Sequence, residues 1–333
     1  MMSSDAPVAP PKAKAPKTQK TKWRSALVLI LKCAVAVALL WWLARSGRFD
    51  WRSVSGLKPS AALAGVLLFQ CAMLGCIAAR WHFLARELNL DFSFRRTLRI
   101  SLIGFYAAIW TPASLGLDGA RLLLSRRLSP QQGREILASV LWDRVLGLWS
   151  LLVVCALSGI ALSLSSVLAG SQTAQRAVSI AALACGVLAV VIGVLIGSPQ
   201  LLKRVSQIPF FEKRAWLQAS FPRAIFGWPL LFAFATHGCN ILAMFCALRV
   251  FEPNAPLVSI FLVTPFVVLS SLVPLTPLGL GVTDATAALL FAAIGVAHGV
   301  AATMIARAFF VVISLVCGLA WLWPVSSASE IEV

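Results

Sequence analysis

The chain has 333 residues, of which 59% are hydrophobic and only 12% are charged, yet its formal net charge is +17. A soluble domain has about 25% charged residues, so this composition excludes an ordinary soluble protein and predicts an all-α polytopic membrane protein. Lys and Arg are concentrated in an N-terminal tail and in short segments between apolar runs. That distribution is typical of cytoplasmic loops, not of a nucleic-acid-binding stripe, and we expect no nucleic-acid partner.

The chain begins with a Pro-, Ala- and Lys-rich stretch, residues 1–24, which we expect to be a disordered, basic cytoplasmic tail. Apolar runs that approach the roughly 20 residues of a membrane-spanning helix follow it. They predict six spanning helices, at about 25–45, 60–80, 136–165, 177–198, 226–250 and 300–324. Residues 25–324 are therefore predicted to form one integral membrane domain, followed by a short C-terminal tail, 325–333.

Two further apolar segments, at about 98–128 and 257–295, are interrupted by Pro and Gly. The interruptions, Thr111–Ala120 and Thr276–Ala285, are similar: Thr, Pro, Leu, Gly and Ala coincide without a gap, and an acid falls within one position of the same place. A matched pair of interrupted segments is typical of the binding site of a transporter, because broken backbone in a bilayer needs protein or a water-filled cavity around it. The alternative is a chance similarity in a Leu-, Ala- and Gly-rich chain.

The basic residues predict how the interrupted segments sit in the membrane. If the first segment is a re-entrant hairpin, the basic stretches 80–99, 121–134 and 199–225 are all cytoplasmic, as the N-terminus is. Only the basic stretch 45–59 is an exception. The second hairpin then enters from the outside, and three spans separate the two. The fold class that we predict is therefore about six spanning helices plus two re-entrant helical hairpins arranged as an inverted repeat, with the C-terminus cytoplasmic.

Ionisable side chains inside these segments are candidate functional groups, because their burial in hydrocarbon is costly. Each hairpin acid is followed by an arginine, Arg144 after Asp118 and Arg307 after Asp284. The planar arginine fork matches phosphate oxygens, and a half-helix N-terminus adds N–H donors, so we predict a site for a phosphate-bearing lipid headgroup. The predicted headgroup-binding residues are Asp118, Arg121, Asp143, Arg144, Thr276, Pro277, Gly279, Gly281, Asp284 and Arg307.

Structural roles compete with this interpretation. Asp118 and Asp284 are favoured helix N-caps, Asp143 and Arg144 can hold helices together as a pair, and Arg307 can be structural as well.

Three other polar residues have mainly structural interpretations. We expect Arg80 to snorkel to the membrane surface, and we expect His237 and Asn240 to form an interhelical hydrogen bond rather than to line a cavity. The eight cysteines form no metal or disulfide pattern, and the chain contains no nucleotide-binding or hydrolase motif, so we expect no metal and no cofactor.

The stretch Pro274–Asp284 resembles the signature of the lysylphosphatidylglycerol synthase membrane-domain family, flippase-like integral membrane proteins, which reads roughly P-x-T-P-G-G-x-G-x-x-E. The Thr-Pro…Gly-x-Asp-x-x-Arg stretch that ends at Arg121 looks like the first motif of the family, and Trp142–Arg144 looks like its acidic-Arg pair. Arg307 falls where the family has an arginine in its last helix. The resemblance covers about 25–324. In two departures, Leu278 replaces the usual Gly and Asp284 the usual Glu.

The resemblance implies a domain that translocates or presents an anionic or phosphate-bearing lipid across the bacterial cytoplasmic membrane. In well-known relatives a soluble domain transfers an aminoacyl group to phosphatidylglycerol; this chain ends at Val333, directly after its last helix, and we do not expect that activity from it. Two alternatives stay open. One is a membrane-embedded transferase that acts on a lipid-linked sugar or a phospholipid. The other is a non-catalytic subunit that recruits a separate lipid-modifying enzyme or glycosyltransferase.

Overall fold

The computed structural model describes residues 58–111, 115–165, 167–168, 170–198, 225–272 and 280–322. These ranges contain nine α-helices and no strand. The helices are α1 (Ala61–Glu87), α2 (Phe94–Ile109), α3 (Leu115–Leu128), α4 (Gly133–Leu164), α5 (Gln172–Gly197), α6 (Trp228–Arg249), α7 (Leu257–Ser270), α8 (Val282–Ala293) and α9 (Gly299–Cys317). A 3₁₀ turn precedes α4 (Pro130–Gln132), and another follows α9 (Gly318–Trp321).

Five of the described helices, α1, α4, α5, α6 and α9, are long and apolar enough to cross a membrane. They confirm the spans predicted at 60–80, 136–165, 177–198, 226–250 and 300–324. Serine side chains fix three of the helix starts, because Ser60, Ser93 and Ser171 each accept a backbone N–H from the first turn of α1, α2 and α5. The span predicted at 25–45 and the two predicted tails lie outside the described residues.

The first interrupted segment folds back on itself as a helical hairpin. Gly104 of α2 packs on Leu117 of α3, and Gly116 of α3 packs on the backbone of Ala107, so the two helices are antiparallel. The Thr111 hydroxyl links their ends, since its Oγ1 accepts from Gly116 N at 2.7 Å and donates to Ala107 O at 3.2 Å. The sequence needs glycine at 116 because a larger residue there has no room.

Replacing Gly116 by alanine is expected to force α2 and α3 apart. A Cβ at this position would overlap the backbone of Ala107 and Ala108, which cannot turn aside as a side chain can. We expect the free energy of unfolding to fall by about 1–3 kcal/mol, measured as thermal unfolding in detergent. Gly119→Ala, in the same helix, is the matched control: nothing lies near its Cβ, and it should leave stability unchanged or slightly raised. Equal losses in both variants would contradict this packing.

The described helices contain a structural repeat, in which α1–α4 correspond to α6–α9. Within the first unit, α1 packs on α2 and α4, α2 on α3, and α3 on α4. Within the second unit, α6 packs on α7 and α9, α7 on α8, and α8 on α9. The contacts between units are reciprocal as well, since α4 packs on α6 and α7 while α9 packs on α1 and α2. Helix α5 connects the two units.

The two units are inverted relative to each other. Their counterpart helices α1 and α6 form the most extensive helix pair among the described elements. Gly65 near the start of α1 lies against Cys246 near the end of α6. Phe83 near the end of α1 stacks on Phe232 near the start of α6, with 5.7 Å between ring centroids. The helices therefore run antiparallel, and the inverted repeat that the two interruptions predicted is present.

Candidate functional site

A buried ionic cluster joins three helices of the first unit. Asp143 of α4 accepts hydrogen bonds from Arg80 of α1, at 2.6 and 3.1 Å, and from Arg121 of α3, at 2.8 Å. All three side chains are nearly or fully inaccessible, and Arg121 is 0% exposed. Two guanidinium groups share one carboxylate, so the buried cluster (Arg80, Arg121 and Asp143) carries one net positive charge in the interior.

Arg121 is held by more than its carboxylate partner. Its guanidinium lies 4.6 Å from the centre of the Trp81 ring, a cation–π contact. Its second terminal nitrogen donates to Ile77 O at 3.3 Å and reaches Ser101 Oγ at 3.5 Å. Its Nε is buried with no partner among the described residues. These contacts fix the side chain in place. Arg121 could contact a ligand directly, as predicted, only if this packing opened.

The snorkelling expected of Arg80 is wrong. Helix α1 continues for two turns beyond it, to Glu87, and Arg80 turns inward. Its guanidinium lies against Gly147 of α4, where a Cβ would come within 3.1 Å of an Arg80 terminal nitrogen and crowd it. A nearby carboxylate, Asp143, makes burial more favourable than extension to the surface. The sequence signal was an arginine inside an apolar helix, and its partner was not recognised because it lies 63 positions away.

The neighbours Asp143 and Arg144 do not act as one pair, since they turn to different partners. Arg144 forms a bidentate pair with Asp118 of α3, with Arg144 N–Asp118 O distances of 2.8–3.0 Å. The Arg144 side chain is 41% exposed and the Asp118 side chain 21%. This accessible pair contrasts with the buried cluster beside it. Asp118 and Arg121 are three positions apart in α3, but their partners in α4 are different residues, Arg144 and Asp143.

The second unit contains a counterpart of the accessible pair. Asp284 of α8 receives two hydrogen bonds from Arg307 of α9, at 3.0 and 3.1 Å, one from Thr303 Oγ1 at 2.8 Å and one from Gly281 N at 2.9 Å. The last bond belongs to a capping box in which Gly281 is the N-cap and Asp284 is the third residue of α8, so Asp284 helps to cap the helix but is not itself the N-cap. Asp284 is fully buried, whereas the Arg307 side chain is 15% exposed. Each hairpin acid therefore binds an arginine of the next long helix, Arg144 in α4 and Arg307 in α9.

Arg307 lines a cleft of about 250 Å³ between α1, α6, α7, α8 and α9. Most of its walls are apolar, but Gln70 Oε1 and Thr283 Oγ1 are buried here without a hydrogen-bond partner among the described residues. Gln70 is oriented by its amide nitrogen, which donates to Ala306 O at 3.4 Å. The cleft thus combines a cation, unpaired polar atoms and apolar walls. Its lining residues are Gln70, Met73, Asn240, Met244, Val267, Val268, Ser271, Thr283, Thr303, Ala306, Arg307 and Phe310.

Helix α1 contacts both charged regions. Gln70 lies at the cleft and Arg80 in the buried cluster, ten residues or about 15 Å further along the helix. An apolar cluster packs between them, formed by Met73, Leu74, Phe105, Leu117, Ile313 and Cys317. Met73 also lines the cleft, and Leu117 precedes Asp118 of the accessible pair. The predicted charges therefore fall into two groups with a packed hydrophobic layer between them.

The remaining predicted residues have mixed outcomes. Thr276, Pro277 and Gly279 lie outside the described residues. Gly281 adopts φ 83°, a left-handed conformation that favours glycine, at the start of α8.

The interhelical hydrogen bond expected of His237 is confirmed: Nε2 lies 3.1 Å from Gly147 O and 3.1 Å from Ser150 Oγ of α4. Asn240 bonds Met73 Sδ of α1 at 3.4 Å, but it also lines the cleft. The contribution of Gln70 was not anticipated, and a lone glutamine inside an apolar helix was the signal for it.

Comparison with known families agrees with this architecture. Residues 29–323, most of the chain, match the family described as lysylphosphatidylglycerol synthase TM region. The chain belongs to this family. Its members are integral membrane proteins, and the family indicates a role in lipid biosynthesis or translocation. No curated protein sequence matches the chain.

Proposed function

We propose that this family member moves an anionic or phosphate-bearing lipid across the bacterial cytoplasmic membrane, with the headgroup bound in the cleft at Arg307. The observation that carries the proposal is the composition of that cleft. It presents a partly accessible guanidinium and two polar atoms that have no partner in the described part of the chain, on a largely apolar wall. A lipid has the same division between a polar headgroup and apolar chains, and arginine binds phosphate through two parallel N–H bonds.

Asp284 supplies the competing anion. When no phosphate is present, both terminal nitrogens of Arg307 donate to its carboxylate, so the arginine keeps a partner. A lipid phosphate displaces part of this pairing, while Gln70 Oε1 accepts from a headgroup hydroxyl or ammonium and Thr283 Oγ1 donates or accepts. The Asp118–Arg144 pair performs the same exchange in the first unit, where it is accessible. Movement of one inverted unit against the other carries the headgroup between them.

The orientation in the membrane is part of the proposal. The N- and C-termini are cytoplasmic, and the α2–α3 and α7–α8 segments are re-entrant hairpins that enter from opposite faces. The antiparallel packing of α1 on α6 supports opposite entry. The basic stretches that flank α2 and α3 support cytoplasmic entry for the first hairpin.

Reconstituted protein should accelerate the movement of fluorescent phosphatidylglycerol between leaflets, followed as dithionite quenching in liposomes. Arg307→Gln should slow the protein-dependent rate by about tenfold or more, because a hydrogen bond to a charged group contributes about 1.5–3 kcal/mol. Arg249→Gln is the matched control: Arg249 ends α6, lies 5.4 Å from the Phe245 ring centre, and does not line the cleft.

Three results of this experiment would count against the proposal. They are equal rates for Arg307→Gln and wild type, equal movement of fluorescent glucosylceramide, which has no phosphate, and no acceleration over protein-free liposomes. Mass spectrometry of the same liposomes tests the rival transferase, which would produce a chemically altered lipid when a lipid-linked sugar is included.

A further inference from the structure

A second crevice lies between α2, α3 and the 3₁₀ turn Gly318–Trp321, and no residue of the two charged regions lines it. It has a volume of about 190 Å³. Three arginines line it, Arg96 and Arg99 from α2 and Arg127 from α3. Its other lining residues are apolar, namely Ile100, Ile103, Leu124, Leu128 and Trp321.

Within the described ranges, the arginines of this crevice lack a balancing charge. None of the three forms a salt bridge with an acidic residue of the described ranges. Arg96 also lies in the first turn of α2, where the helix dipole disfavours a cation. Arg99 is oriented by a bond from its Nε to Ala320 O at 3.1 Å, which leaves its terminal nitrogens for another partner. Three cations gathered in one crevice require an anion.

The surroundings identify the kind of anion. Two of the apolar residues that line the crevice are themselves accessible, Leu128 (40%) and Trp321 (54%). In a membrane protein such a surface faces lipid, and an indole at its edge is typical of the headgroup level. A free anion would gain nothing from these apolar walls, whereas a phospholipid uses both parts of the crevice.

We infer that this crevice binds one anionic phospholipid of the leaflet in which α2 begins, with its phosphate on Arg96, Arg99 and Arg127 and an acyl chain along Ile100 and Leu124. This lipid is distinct from the one proposed to be translocated, because the two clefts share no lining residue. It joins the first hairpin to the end of α9, since the crevice is lined from both.

Native mass spectrometry tests this site with phosphatidylglycerol added to delipidated, full-length protein. The variant Arg96→Gln/Arg99→Gln/Arg127→Gln should bind phosphatidylglycerol about tenfold more weakly or worse. The matched control is Arg95→Gln/Arg126→Gln/Arg134→Gln, which removes the same charge from exposed arginines outside the crevice and should bind as wild type does. Arg127→Gln alone changes an exposed position and should give a partial loss of phosphatidylglycerol binding. It therefore tests the site even if the triple variant misfolds.

Further measurements distinguish a lipid phosphate from free phosphate, and this crevice from the cleft at Arg307. Arg307→Gln should retain this bound lipid, whether or not translocation is lost. Inorganic phosphate that competes as well as phosphatidylglycerol would overturn the lipid assignment, and so would equal affinity of the two triple variants. Tighter binding of phosphatidylglycerol than of phosphatidylcholine supports it.

Discussion

Asp143→Asn is expected to lower the free energy of unfolding by about 3–5 kcal/mol, because it leaves the buried guanidinium groups of Arg80 and Arg121 without their carboxylate. Thermal unfolding in detergent, followed by tryptophan fluorescence, measures the change. Asp118→Asn breaks a more accessible pair with Arg144 and should cost only about 0–1 kcal/mol. Similar losses in the two variants would show that burial of the cluster is not what makes Asp143 important.

A rescue experiment separates unpaired charge from general damage. Replacing the whole buried cluster, as Arg80→Met/Arg121→Met/Asp143→Leu, removes every charge and should recover stability relative to Asp143→Asn. Failure to recover would mean that the polar contacts to Ile77, Ser101 and Trp81 are needed, not the charge balance alone. If the rescued protein is stable but inactive, the cluster also serves transport.

Asp284→Asn should hold lipid in the cleft more tightly and move it more slowly. The carboxylate competes with phosphate for Arg307, so its neutralisation should raise retention of labelled phosphatidylglycerol by about tenfold to a hundredfold. Release then becomes slower, and the rate of dithionite quenching should fall. Retention is measured on protein purified in parallel with Arg307→Gln, in which it should decrease.

Asp284→Glu is the matched control for this prediction. It keeps the charge that the family signature usually supplies as Glu, and it should preserve the competition, with some cost from an extra methylene in a packed position. Reduced lipid retention in Asp284→Asn would contradict the competitive role and would indicate that the carboxylate assists binding. Unchanged retention in both variants would separate the ion pair from the lipid altogether.

Local patterns in the sequence were sufficient for much of the architecture. Hydropathy predicted the long helices, and the similar interruptions near Thr111 and Thr276 predicted a repeat because each unit reuses the same break. The similar spacing from Asp118 to Arg144 and from Asp284 to Arg307 indicated that these residues are counterparts, although it did not predict that they pair.

Long-range partners could not be predicted in the same way. Arg80 meets Asp143 only after α1 packs on α4, and nothing in either local stretch specifies that register. The orientation of Gln70 likewise depends on its hydrogen bond to Ala306, which lies 236 positions away. The separation of the charges into two groups follows from the apolar cluster around Met73 and Leu117, whose members come from four helices. The prediction that all ten candidate residues form one headgroup site was made without that information.

The inverted repeat has a geometric consequence. Its two units now differ, since the acid–arginine pair of the first is accessible and the acid of the second is fully buried. A second conformation can be constructed by giving each unit the shape of its counterpart, and the reciprocal helix contacts keep the same set of neighbours. If the proposed translocation operates by this exchange, we expect a second conformation in which Asp284 is accessible and Asp118 is buried.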